Sequence, residues 1–435
     1  MGSRSHRTDF VLTPLEQRVV DAVDFDSLLA LLSDLISLPS VANNENPAQE
    51  RMAEAMEDIG LSTDVWQIDF TQLKGHPAFT TDVERNEGLG VVGTMGHAAE
   101  EGRTLILNGH VDVVPAGEED RWKHPPFELT GEGNDLYGRG VVDMKGPLCC
   151  GLFAAKAILD AGVELTGELQ IQSVIGEEDG GSGTLATIER GYRGAGAIVL
   201  EPTEFTIAPA QAGALSFRVT IPGLAAHGAF REEGVDPVEK FIPIFKRLRK
   251  LEADRNTAVE DPLFDGDALP FPLAMGRIYS GIWPSTVAET LVAEGRYGVA
   301  PGENALRARN QLEMAVAEAA SSDAWLRAHP PRVEWWGAQF ESAQIAVDDP
   351  VVTTLSETMR SVTGTEPTIA GVRYGADMRL LVNEGKIPTV LFGPGDVREA
   401  HRPDEKISKA SLMEATKILA VTALRFSGAA ESDHT

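Results

Sequence analysis

Residues 104–115 read TLILNGHVDVVP. A short apolar run that stops at a glycine has the pattern of a strand buried on both faces. This one is followed at once by His110 and Asp112. Three later runs repeat the plan. LQIQSVI (169–175) leads into Gly176-Glu177-Glu178-Asp179, AIVL (197–200) into Glu201-Pro202, and PTVLF (388–392) into GPGDVREA and then His401. A helical stretch, 147–161, separates the first two. This alternation argues for an α/β fold with a mainly parallel sheet and helices on both faces. Ligands of such sheets gather outside the carboxyl ends of the strands. Four strand ends therefore deliver His, Glu-Glu, Glu and His towards one edge, and Asp143 in LYGRGVVDMKG (136–146) is a fifth candidate.

Outward from this centre, the first 60 residues read as helices: 15–23, 25–38 and 47–61, punctuated by Pro39 and Gly60. The texture changes near Ala212. ALSFRVTI (214–221), VAETLVAEGRYGV (287–299) and RVEWWG (332–337) look like amphipathic strands, separated by helical stretches at 236–251 and 303–328. That is a β-α-β-β-α-β, ferredoxin-like α+β block. The expected division is 1–212 with 339–435 for one unit and 213–338 for the inserted one. The acidic, proline-containing stretch 254–272 reads as an exposed connection, and the tail after Ser427 as frayed.

The 435 residues carry 38 Lys+Arg against 66 Asp+Glu, a net charge of −28. A nucleic-acid binder needs a basic footprint, and anionic membranes attract basic segments; both partners are excluded. No run approaches the roughly 18 apolar residues of a membrane span. The start, MGSRSHRTDFVLTPLEQ, has no apolar core of a signal peptide. The only cysteines, Cys149 and Cys150, are adjacent in an apolar helical run and read as buried small hydrophobes, in keeping with a reducing cytoplasm.

Two histidines and several carboxylates converging in a crevice suit a divalent metal, since imidazole and carboxylate are ligands for Zn²⁺ and its neighbours. An Asp shared by two ions would make a two-metal hydrolytic site. Taken singly, each element has a plainer reading: a satisfied polar histidine, an acidic turn, a Glu-Pro loop.

Six blocks decide further. NGHVDVVP (108–115), LYGRGVVDMKG (136–146), GEEDGGSGT (176–184), EPT (201–203), GLAAHGAFREEGV (223–235) and GPGDVREAHRPDE (393–405) occur in this order across nearly the whole chain. Together they resemble the metallopeptidase family of acetylornithine deacetylase, succinyl-diaminopimelate desuccinylase, aminoacylase and glutamate carboxypeptidase. The resemblance implies that His110 and Glu201 serve one metal, Glu178 and His401 a second, and that Asp143, followed by a cis peptide, bridges both. It implies Asp112 as the group that orients His110, and Glu177 as general base, although adjacent Glu177 and Glu178 can exchange roles on sequence alone. The ions are expected to be Zn²⁺, one or two, with Mn²⁺ or Co²⁺ as alternatives. The inserted block resembles a lid that mediates homodimerisation. There His227 (AAHGA) matches a lid histidine that reaches the partner's active site, and Arg296 an arginine that grips a substrate carboxylate. Asp377 and Arg379 (YGADMRLL) either shape the substrate pocket or form a structural ion pair.

The implied function is hydrolysis of the amide of a small N-acyl amino acid or related compound by a metal-activated water. Glu201, rather than Asp, favours deacylases over aminopeptidases. A dipeptidase or aminopeptidase, hydrolysis of a non-peptide C–N bond such as an aromatic amine's, and a non-catalytic binding protein are the alternatives. Two departures touch the substrate: Ala288 where proline is usual, and Val372-Arg373-Tyr374-Gly375-Ala376 where relatives carry small residues.

Overall fold

The computed structural model describes residues 11–97 and 103–429. The expected frayed tail from 430 onward and the first ten residues lie outside them. Strand Thr104–His110 runs inside a six-stranded sheet. Glu168–Val174 and Gly196–Val199 flank it in parallel, and Thr389–Leu391 adds a further parallel strand. Leu89–Gly96 and Ser62–Gln67 extend the other side antiparallel. The parallel strands are buried almost end to end, as covering on two faces requires, whereas no residue of the edge strand Ser62–Gln67 is fully buried. The two antiparallel strands were not among the runs picked out from the sequence. Leu89–Gly96 reads LGVVGTMG, and its glycines dilute the strand signal.

Helix Lys145–Asp160 packs against the sheet and against helices Phe25–Ile36 and Lys409–Ser427. Cys149 and Cys150 are fully buried in it and unpaired. The first helix, Pro14–Asp21, opens with a capping box. Thr13 and Glu16 satisfy each other's backbone amides, and Arg425 of the last helix donates to Glu16 Oε1 at 2.6 Å.

The inserted unit has its own hydrophobic core. Its antiparallel sheet runs Leu273–Ser280, Thr290–Val299, Gly213–Pro222, Arg332–Phe340, with helices Pro237–Ala258 and Ala305–Ser321 packed together over it. Gly213–Pro222 alternates strictly, pointing Leu215, Phe217, Val219 and Ile221 inward. Three boundaries differ from the sequence reading. The first helix runs on to Ala258, so the stretch from 254 begins as helix. Leu273–Ser280 is a strand. The stretch 303–328 is split because the Asp323 side chain accepts from the amides of Trp325 and Leu326 and starts a new short helix.

The two units are tied at specific points. The amides of Ala338 and Gln339 donate to Asp82 and Thr80. Gly371 donates to the Leu263 carbonyl, beside a small cluster that includes Phe264, Phe271 and Ala300. No helix among the described residues is long and apolar enough to cross a membrane.

Candidate active site

The carboxyl ends of the parallel strands carry the expected side chains to one place. His110 ends its strand, Glu177 and Glu178 follow Glu168–Val174, Glu201 follows Gly196–Val199, and His401 lies beyond Thr389–Leu391. Asp143 joins them from the turn before helix Lys145–Asp160, and its peptide bond to Met144 is cis. His110 Nε2 lies 3.2 Å from Asp143 Oδ1, and His401 Nε2 lies 3.2 Å from Asp143 Oδ2 and 2.9 Å from Glu178 Oε1. Asp143 thus stands between the two imidazoles. Donor atoms of His110, Glu177 and Glu201 lie within 4.8 Å of one another, as do those of His110, Asp143 and Glu178. Glu177, the expected base, stands in the first of these groups.

Buried negative charge dominates. Burial, then the Glu201 and Asp377 carboxylates, push Glu177 well above the ordinary carboxyl range. Burial and Asp143 do the same to Glu201 and, less strongly, to Glu178. Burial alone would lower His110, but Asp112, Asp143 and Glu177 outweigh it and hold the imidazole well above its usual value. Hydrogen bonds to Asp143 and Glu178 push His401 up to about 10. Carboxylates that raise one another's pKa are a site short of positive charge. With imidazole nitrogens among them, the donor set fits divalent cations.

Surrounding residues fix these groups. Asp112 accepts from the amides of Glu177 and Glu178 at 3.3 and 3.1 Å, and its own carbonyl is 2.9 Å from His110 Nδ1. It therefore orients His110 and the Glu-Glu turn together. Gly176 makes that turn at φ +67°, where a Cβ would meet Ser182 Oγ at 2.5 Å. Glu405 accepts from the amides of Val142 and Asp143 at 3.0 and 3.2 Å and from Arg139 Nη1 at 2.6 Å, so it ties the His401 segment to the Asp143 turn. His401 itself sits at φ +61°, an uncommon conformation for a side chain with a Cβ. Beneath the turn, Arg85 Nη2 lies 2.7 Å from both Glu45 Oε1 and Asp179 Oδ2. Sequence reasoning missed Arg139, Glu405 and Arg85. The first two lie in the quoted motifs, four positions before Asp143 and four after His401; nothing marked Arg85.

The remaining expected residues lie away from this cluster or behind it. His227 is exposed, on a two-residue strand paired with Thr286–Val287, and its Nδ1 accepts from the Ala229 amide. Arg296 Nη2 donates to the Arg373 carbonyl at 2.8 Å. Arg379 is buried over the Phe340 ring and donates to the Gly180 carbonyl at 2.7 Å. Asp377 is fully buried beside Gly181. Arg379 and Asp377 thus back the Glu-Glu turn.

Known proteins share this architecture. The dipeptidase Dug1p from Saccharomyces cerevisiae superposes with a TM-score of 0.73 at 14% identity, over 97% of this chain and 99% of that one. The M20 family metallo-carboxypeptidase Sso-CP2 from Sulfolobus solfataricus gives 0.72 at 17%, over 92% and 99%. In sequence, the chain is 31% identical over 420 residues to the N-formyl-4-amino-5-aminomethyl-2-methylpyrimidine deformylase of Halalkalibacterium halodurans, covering 91% of this chain and 93% of that protein. It is 27% identical to the succinyl-diaminopimelate desuccinylase of Methylobacterium radiotolerans, covering 90% and 95%. The profile of peptidase family M20/M25/M40 matches residues 106–425. With that match over most of its length and five of the six blocks gathered at one sheet edge, the sixth lying in the inserted unit, the chain is a hydrolase belonging to peptidase family M20/M25/M40.

Proposed function

We propose that the protein removes a small acyl group, formyl foremost, from the amine of a small molecule that lacks a carboxylate. The observation that carries the amide hydrolysis is the Asp143 carboxylate standing between His110 and His401 with Glu177 alongside; the choice of formyl rests on the deformylase likeness. His110, Asp143, Glu178, Glu201 and His401 would hold the ions, Zn²⁺ before Mn²⁺ or Co²⁺. Bound there, such ions supply Lewis acidity, acidifying water and polarising a carbonyl oxygen. Glu177 takes the proton of the attacking water and returns it to the leaving nitrogen. Asp112 keeps His110 and the Glu-Glu turn in register.

The arginines nearby bear on the acyl acceptor. Arg296 holds the Arg373 carbonyl, Arg373 faces Asp267 at 3.2 Å, Arg379 holds Gly180, Arg398 pairs with Asp396 and Glu204, and Arg402 faces Glu399. Each guanidinium has a partner within the chain, which disfavours a carboxylate-bearing substrate such as a succinylated amino acid. The deformylase likeness at 31% identity points the same way.

The residues 213–338 act in this reading as lid and dimer contact. Strand Leu273–Ser280 is a sheet edge with Ile278 and Tyr279 exposed at 51% and 46%. In this reading a second copy covers that edge, and His227 of each chain serves the other's cluster, as the resemblance to the family's lid implies. Two unpaired buried thiols accord with the cytoplasm. The test is release of formate from the formylaminopyrimidine by enzyme reloaded with Zn²⁺, Mn²⁺ or Co²⁺, beside N-acyl amino acids, N-succinyl diaminopimelate and free-amine dipeptides. Turnover confined to the succinylated amine or to dipeptides refutes the proposed substrate class.

A further inference from the structure

Tyr374 lies on the segment whose bulk departs from the family pattern. Its phenol oxygen is 3.4 Å from the carbonyl of Pro202, the neighbour of Glu201. That is the long limit of a hydrogen bond, so this partner is cheaply exchanged for another. The ring is half-buried against the main core. Burial, then the carboxylates of Glu201, Asp143 and Glu177, hold the phenol well above its usual pKa. Tyr374 therefore presents, next to Glu201, an O–H donor whose single bond among the described residues is a long one.

The segment around it is pinned on several sides. The Val372 amide donates to the Ala210 carbonyl and the Val372 carbonyl accepts from Ala212, both at 2.9 Å. Arg296 reaches from the inserted unit to the Arg373 carbonyl, and Ala376 donates to Gln211 Oε1 at 3.2 Å. A donor whose backbone is fixed before the substrate arrives needs little reorganisation when charge develops.

We infer that Tyr374 is a further catalytic residue of the chain's own active site, donating its phenol hydrogen bond to the acyl oxygen of the amide as that oxygen gains charge, and that Arg296 is a positioning residue that latches the Tyr374 segment. The proton stays on the phenol throughout; the residue supplies a hydrogen bond and no proton transfer. The inference rests on the amide-hydrolase reading above.

The experiment compares wild type, Tyr374→Phe, Arg296→Ala, Arg296→Lys and the Tyr374→Phe/Arg296→Ala pair, all metal-loaded, on the formylaminopyrimidine. Tyr374→Phe is expected to lose about 10²-fold in kcat with KM and metal content kept. Arg296→Ala loses kcat in the same way, Arg296→Lys recovers much of it, and the pair loses no more than Tyr374→Phe alone, as a shared function requires. A Tyr374→Phe enzyme with wild-type kcat overturns the inference. So does an Arg296→Ala enzyme that raises KM alone and adds fully to Tyr374→Phe, because Arg296 would then grip substrate. Calorimetric binding of acetohydroxamate gives a readout free of turnover. Tyr374→Phe should weaken it about tenfold, and unchanged affinity sinks the role of Tyr374. A wild type that cleaves no amide sinks the hydrolase reading instead, and the hydroxamate arm still decides Tyr374.

Discussion

Replacing Arg85 with methionine keeps most of the side chain's volume and removes its charge. In the structure Arg85 is 1% exposed, and Nη2 serves Glu45 and Asp179 at 2.7 Å each. Both carboxyls are already pushed up to about 7, chiefly by burial, with Arg85 opposing. Two opposite charges at about 4 Å attract by about 4 kcal/mol at an effective dielectric of 20. Two such pairs, less the desolvation of the guanidinium, leave a net loss of about 3–5 kcal/mol when the cation alone is removed. Urea unfolding of Arg85→Met against wild type measures it. Adding Glu45→Gln should return part of the loss, since one of the two buried carboxyls that must then take up a proton is gone. Asp179 directly follows Glu178, so the variant should also bind metal more weakly in a competition titration. A loss below about 1 kcal/mol, the level of an exposed ion pair, would refute the claim that Arg85 anchors the Glu-Glu turn.

Three further outcomes are expected. Glu177→Gln should lower kcat by about 10²–10⁴-fold while metal analysis finds wild-type content; loss of metal with activity would make Glu177 a ligand. Stripping with a chelator should abolish turnover, and Zn²⁺, Mn²⁺ or Co²⁺ should restore it; activity that survives complete removal would refute the metal mechanism. Glu16 is held below the ordinary glutamate range: burial works against this, and Arg425 and the Thr13 amide outweigh it. A lowered carboxyl stabilises the fold fully above its unfolded pKa and loses that contribution as pH falls through the folded value. The Tm deficit of Glu16→Gln, measured from pH 7 downward, should therefore stay constant above the ordinary glutamate pKa and shrink as the pH is taken below it through the lowered folded value; a deficit independent of pH down to the acid limit of folding would rule out the Arg425 pairing as its source.

The parallel strands were legible because burial on both faces keeps them largely apolar, the few polar side chains in their interiors, Asn108, Gln170, Gln172 and Ser173, being buried too, and the acidic residues and histidines that follow each run stand out. TLILN followed by Gly109-His110 is the plainest case. The ferredoxin-like order of the inserted unit was legible from alternation in 214–221, and five of the six blocks supplied the side chains that meet at the sheet edge. The antiparallel strands at the sheet's far side were hidden by glycines and by partial exposure. Arg85 could not be found because its partners, Glu45 and Asp179, come from distant segments and follow no local period. Arg296 carried a role by its place on a lid strand; the backbone carbonyl it reaches belongs to a segment 77 positions away and leaves no mark in its neighbourhood.

Glu405 joins the turn before the cysteine helix to the segment of His401, and translation reaches both Glu405 and His401 only after the entire inserted unit. A growing chain therefore exposes His110 and the acidic turns long before the last donor exists. In the proposed assignment the half-built centre lacks a ligand, so Glu177 cannot yet face a complete set. Hydrolysis is withheld from the nascent polypeptide until its distal part has folded back.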